Sequence, residues 1–162
     1  MIMSMNERVR AAFLIVCEPL SGWHHAFARE RRTAVDFAHE VDWLLSESPY
    51  KDAPKVRLVL DNLNTHVVAS LYKAFPAVKA RELVRRLEFH YTPRHGSWLN
   101  VAEISISILS KQCIDRRIPD LVLLNCEIGA WEKWYNSQCR VVKWQFTTDD
   151  ARIKLHKLYP VF

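Results

Sequence analysis

The stretch "VRLVLDNLNTH", residues 56–66, is a short apolar run that stops on an acid and a set of turn-forming residues. Five residues rich in Val and Leu follow a loop bracketed by Pro49 and Pro54 and are closed by Asp61. Such a run is too brief for a helix with its own buried face and suits a buried strand. On the two-residue period of a strand, Val56, Leu58 and Leu60 share one face, and Arg57, Val59 and Asp61 share the other. Asp61 then stands at the carboxyl end of a strand expected to run through the interior of a sheet, where α/β sheets gather their ligands. An aspartate ahead of "NLNTH" also suits an Asx turn or a helix cap, and this stretch alone leaves both readings open.

Upstream, "AAFLIVCEPLSGWHHAFARE" reads as two strands joined by a Pro/Ser/Gly turn that contains Glu18. "TAVDFAHEVDWLLSES" follows as a helix, with Thr33 as N-cap and an apolar stripe of Val35, Phe37, Ala38, Val41, Leu44 and Leu45. Downstream, residues 67–87 are helical in pattern but interrupted by Pro76, and "LEFHYTP" is a strand ended by Pro93. Helices are expected over about 99–114 and 119–137. "VVKWQF" reads as a strand or an extended tail, and "TTDDARIKLHKLYP" as a short capped helix closed by Pro160. Strands alternating with helices argue for a mixed α/β sheet with helices packed on it.

A second stretch, "HYTPRHGSWLNVAE" at residues 90–103, sets a basic glycine loop directly before a helix. At 100° per residue, Asn100, Glu103, Ser107 and Ser110 form one polar seam on a helix that is otherwise apolar and therefore expected to be nearly buried. A carboxylate on such a seam needs a partner. It is either the acceptor of a salt bridge from an arginine such as Arg94, or a metal ligand facing Asp61. Hard divalent cations such as Mg²⁺ take oxygen ligands and only one or two protein carboxylates. Trp98 can stack on a base or plug the core.

The chain has 162 residues, room for one domain, with 49% hydrophobic and 25% charged residues. Its longest strongly apolar run, Ala11 to Cys17, is far shorter than the roughly 20 residues a membrane span needs. With no secretory signal pattern in "MIMSMNERVR", the expected location is the cytoplasm. A net charge of +5 permits a polyanionic partner, with basic groups at Arg29–Thr33, Arg81–Arg86 and Asp115–Arg117 that are as readily solvated helix faces. Cys17, Cys113, Cys126 and Cys139 form no CxxC pair and are expected to be reduced, mostly as small buried residues. His24, His25, His66, His90 and His95 lack the spacing of a histidine metal site and are expected in hydrogen-bonded or surface roles.

Together, "VLDNLNTH" and "HYTPRHGSWLNVAE" resemble the catalytic domain of bacterial insertion-sequence transposases of the mariner-like group, in particular the insertion-sequence-630 family of the DDE superfamily. "EPLSGW", "ERRTAVDFAHE", "LSKQCIDRRIPD" and "VVKWQFTTDDARIKLHKLYP" look like that family too, so the likeness spans nearly the whole chain. The resemblance implies a ribonuclease-H-like (retroviral-integrase-like) α/β fold, a mixed sheet flanked by helices. It also implies a two-ion Mg²⁺ or Mn²⁺ site for DNA strand cleavage and transfer. Asp61 matches the second acid of the DDE triad and Glu103 the third, both as catalytic metal ligands, with Asn62 and His66 in support. Arg94, His95, Ser97, Trp98 and Asn100 would face DNA. The forty-one residues between the two acids exceed the usual mariner-like gap, the extra length falling around "AFPAVKARELVRR".

One departure bears on activity. The family's first aspartate lies on the first strand, ahead of the hairpin that opens this chain, and residues 1–10 contain no aspartate. The resemblance thus implies a single, N-terminally truncated domain over residues 1–162 whose first strand is missing and whose two-ion site is incomplete. Residues 1–10 would be disordered and 140–162 a C-terminal extension. Glu18 is a poor geometric substitute for the missing acid. The partners implied are the double-stranded DNA of transposon ends and a further copy or a full-length transposase, in a nucleoid-associated bacterial setting. The alternative is a non-catalytic remnant that binds DNA or a transposase and regulates it.

Overall fold

A computed structural model describes residues 11–92, 101–154 and 156. Within them the apolar opening run forms β1 (Ala12–Glu18), which pairs antiparallel with β2 (Trp23–Arg29) from Ala12↔Arg29 to Glu18↔Trp23. The turn between them closes on Gly22, whose amide donates to the Glu18 carbonyl. Gly22 sits at φ +74°, and a Cβ there would lie 2.6 Å from the backbone oxygen of Arg140, so both conformation and space demand glycine. Glu18 is the last residue of β1 and not part of the turn, as the sequence had suggested. Its carboxylate accepts from the hydroxyls of Ser21 and Tyr50, both at 2.6 Å.

α1 (Ala34–Ser46) begins with a reciprocal cap. The Thr33 hydroxyl accepts from the Asp36 amide, and the Asp36 carboxylate accepts from the Thr33 amide. Phe37, Ala38, Val41, Leu44 and Leu45 are buried as the stripe predicts, but Val35 is exposed and Glu40 takes a buried place instead. β3 (Val56–Leu60) follows the Pro49–Pro54 loop. Pro76 divides the next helical stretch into α2 (Val68–Ala74) and α3 (Ala77–Arg85), because its ring removes an amide donor and clashes with the preceding turn. β4 (Leu87–Tyr91) then lies parallel to β3, Val56↔Leu87 through Leu60↔Tyr91. Phe37, Val41, Leu45, Leu71, Leu83 and Leu87 form one core, on which Val56, Leu58 and Leu60 lean.

α4 (Val101–Gln112) and α5 (Leu121–Ser137) cover the hairpin. Ala26 and Ala28 of β2, Leu109 of α4, and Leu124, Ile128, Trp131 and Tyr135 of α5 make a second core. Small side chains at Ala26 and Ala28 let α5 come close enough to seal the outer edge of β2 with its own side chains. Asn125 exchanges two hydrogen bonds with the Ala28 backbone, Asn136 two with that of His24, and Glu132 accepts from the Ala26 amide. An exposed strand edge invites pairing with other chains, and α5 removes that hazard at β2. Residues 140–147 form no regular secondary structure, the Val142 amide donating to the Pro19 carbonyl at 2.8 Å, and α6 (Thr148–Lys154) starts on a Thr147–Asp150 cap.

Several expectations are corrected. The described strands form two separate two-stranded sheets, β1-β2 and β3-β4, where one continuous mixed sheet was expected. Among the described residues β3 consequently has a hydrogen-bonded neighbour on one side only, and Arg57 and Val59, on the face turned away from the core, are exposed. α4 is not nearly buried. Ser105 and Leu109 are its buried residues, while Ile104 is 54% exposed. Cys126 and Cys139 are exposed, and all four cysteines are free. The expectations for residues 1–10, Arg94, His95, Ser97, Trp98, Asn100 and Pro160 lie outside the described residues.

Candidate catalytic site

β3 delivers Asp61 to its carboxyl end, the side chain about one-third exposed. The carboxylate is held by the loop that follows. Nδ1 of His66 donates to Oδ1 of Asp61 at 2.6 Å, and the His66 ring is held against Phe37, with centroids 4.8 Å apart. Nε2 of the same ring is buried and has no hydrogen-bond partner among the described residues. Asn62, the other predicted supporting residue, donates from Nδ2 to the Thr92 carbonyl at 2.6 Å, tying the end of β3 to the end of β4. Thr92 returns the tie by donating its amide to the Leu60 carbonyl.

Glu103 lies in the first turn of α4, where a helix macrodipole favours a negative charge. It is exposed, its carbonyl accepts from the Ser107 hydroxyl at 3.1 Å, and its carboxylate has no hydrogen bond or ion pair with a described residue, so it does not carry the desolvation cost foreseen for a buried seam. Ser107, the next residue of the predicted polar stripe, is likewise exposed. Leu60 and His66, on either side of Asp61, and Val101 and Ala102, just ahead of Glu103, line a single cavity of about 660 Å³.

Sequence reasoning missed a polar cluster joining β2, α1 and α5. His25 lies between Glu132 (3.1 Å) and Glu40 (3.6 Å) and stacks on Trp43 with centroids 3.7 Å apart. Burial alone would push its pKa down, but hydrogen bonds to Glu132 and Glu40 outweigh burial and raise it to about 9. Burial likewise pushes Glu40 up, and the hydrogen bonds from His25 and Arg29 more than offset it, leaving its pKa lowered. His24 is buried, bonded to the Ser105 hydroxyl and the Gly22 carbonyl, which explains why a serine occupies the buried face of α4.

The basic groups are partly consumed by the fold. Arg29 pairs with Glu40, Arg116 with Glu127, and Arg86 spans carbonyls of the loop between α1 and β3. Among the described residues no three His, Cys, Asp or Glu side chains gather as a metal cage. Oδ2 of Asp61 has no hydrogen-bond partner among the described residues. An unengaged carboxylate oxygen of this kind is what a hard divalent cation takes as a ligand. No described helix is long and apolar enough to cross a membrane.

Comparison with known proteins gives a specific result. Neither the curated proteins nor the solved structures yield a match. The sequence model of one family, described as DDE superfamily endonuclease, matches residues 2–124, well over half of the chain, and takes in β1 to β4, α4, Asp61 and Glu103. The chain belongs to the DDE superfamily endonucleases.

Proposed function

We propose that residues 1–162 are a single transposase catalytic domain of the mariner-like, insertion-sequence-630 type on a ribonuclease-H-like fold, acting on the double-stranded DNA of transposon ends. Asp61 and Glu103 are its second and third catalytic acids. The observation that supports this most is the placement of Asp61 at the end of β3, fixed by His66, with its neighbours and those of Glu103 on one cavity.

The two carboxylates would hold Mg²⁺ or Mn²⁺, which in such enzymes activates the attacking oxygen and stabilises the leaving oxygen of an in-line displacement. His66 orients one oxygen of Asp61 and leaves the other for the cation. Asn62 fixes the backbone on which Asp61 stands. Arg94, His95, Ser97, Trp98 and Asn100 are the proposed DNA-facing residues of the loop before α4. Work at transposon ends places the protein at the bacterial nucleoid, with a further copy or a full-length transposase as partner.

With Asp61 and Glu103 as the protein carboxylates, one ion of the pair would be held more weakly than the other, and a reaction deprived of it would be slower by roughly a thousandfold or more. A nicking assay on supercoiled DNA carrying transposon ends, with Mg²⁺ or Mn²⁺, tests this. The chain is expected to bind the DNA in a salt-sensitive manner without cutting it. Fusion of an upstream strand bearing an aspartate restores cutting, and Asp61→Ala or Glu103→Ala in that fusion removes it. Robust cutting by the 162 residues alone, lost on mutating Glu18, would overturn the assignment of the acids.

A further inference from the structure

His66 orients Asp61 through one ring nitrogen, so whatever fixes His66 also fixes the acid. The ring has few tethers of its own. Phe37 packs against it, and its Nε2 has no hydrogen-bond partner among the described residues. The direction in which Nδ1 points therefore depends on where the backbone of His66 is placed.

The helix that follows does little to place it, since Val67, ahead of α2, makes no side-chain cap. The His66 amide donates to the Leu63 carbonyl at 3.0 Å, a bond inside the same loop that moves with it. The His66 carbonyl is tied to a different element. The hydroxyl of Tyr91, the last residue of β4, donates to it at 3.1 Å. The Tyr91 ring lies along that of Phe89, with centroids 6.4 Å apart and planes 26° from parallel, and Phe89 packs on the core built around Phe37 and Leu45. Thr92 donates its amide to the Leu60 carbonyl and accepts from Asn62. The end of β4 thus meets the chain on both sides of Asp61 and again at His66.

Tyr91 is nearly half exposed, and its bond to the His66 carbonyl is open to water. Water can replace the hydroxyl as a donor, so losing this bond costs little stability. A water molecule does not tie the carbonyl to a packed ring, however, and this separates positioning from mere support. We infer that Tyr91 is a positioning residue for Asp61, acting through His66. Its hydroxyl sets the backbone from which Nδ1 reaches Oδ1 of Asp61, leaving Oδ2 available to a cation. Outer partners of a ligating carboxylate tune affinity in this way. The inference rests on the reading of Asp61 as a metal ligand for its effect on a cation, and not for the orientation of the carboxylate.

The test uses the whole chain and Tyr91→Phe, which removes the hydroxyl and keeps the ring. Without metal, proton NMR follows the imidazole proton that His66 shares with Asp61. Its exchange with water is expected to quicken about two- to tenfold in Tyr91→Phe, the worth of one neutral hydrogen bond. The melting temperature should move by no more than about 2 °C. With Mn²⁺ alone as the probe, affinity should fall by a similar factor, and Tyr91→Phe should have no further effect in a His66→Ala background. No protected ring proton in the unmutated chain, or one unchanged by Tyr91→Phe, would overturn the inference. So would an equal loss of Mn²⁺ affinity in the His66→Ala background, which would show that Tyr91 acts by another route. A quickened ring proton in a chain whose Asp61 binds no Mn²⁺ would support the inference and overturn the reading of Asp61 as a ligand.

Discussion

Nδ1 of His66 donates to Oδ1 of Asp61 across 2.6 Å, and the same ring lies against Phe37 of the α1 core. The acid at the end of β3 is thereby oriented by a residue five positions on, which is in turn held by the packed helix beneath it. Such an arrangement fixes a carboxylate before any cation or phosphate arrives, which is what ordered metal ligation requires of its supporting residues.

The guanidinium of Arg86 does a comparable service for the fold. It donates to the carbonyls of Leu45, Tyr50, Lys51 and Ala53 at 2.7–3.1 Å, pinning the loop that leads into β3. Arg86→Ala leaves several carbonyls without their charged donor and is expected to cost about 2–4 kcal/mol. Arg86→Lys should recover less than half of this, since an ammonium cannot span the same fork. Urea unfolding of the two variants measures the difference directly.

Stability should depend on pH through His25. Its pKa is raised from 6.5 to about 9 by Glu132 and Glu40, so its protonated form stabilises the fold fully below pH 6.5. That contribution is lost as pH rises from 6.5 through about 9. The loss is expected to be roughly 1–3 kcal/mol, visible as a falling melting temperature over that window. His25→Gln should flatten the fall while lowering stability at pH 6.

Much of this was legible in the sequence where the cause is local. The Thr33–Asp36 cap, the break at Pro76, the alternation that sends Val56, Leu58 and Leu60 to the core, and the placement of Asp61 at a strand end all follow from nearby residues. What was not legible depends on distant partners. Glu40 is buried because Arg29 and His25 arrive from β2, and Ser105 because His24 does. The exposure of Glu103 follows from the way α4 turns Ser105 and Leu109 inward, which its own spacing does not reveal. Asn125, Glu132 and Asn136, spaced seven and four apart along α5, did carry a signal. Polar residues recurring beside a buried stripe mark a helix that serves a strand edge.

The central claim is that Asp61 and Glu103 hold one divalent cation between them. Paramagnetic broadening of backbone amide signals by substoichiometric Mn²⁺ tests it most directly. The account predicts that amides of residues 60–66 and of the first turn of α4 broaden together, and that Asp61→Asn or Glu103→Gln alone abolishes both sets. Broadening confined to one set, or broadening around Asp61 that survives Glu103→Gln, would contradict it.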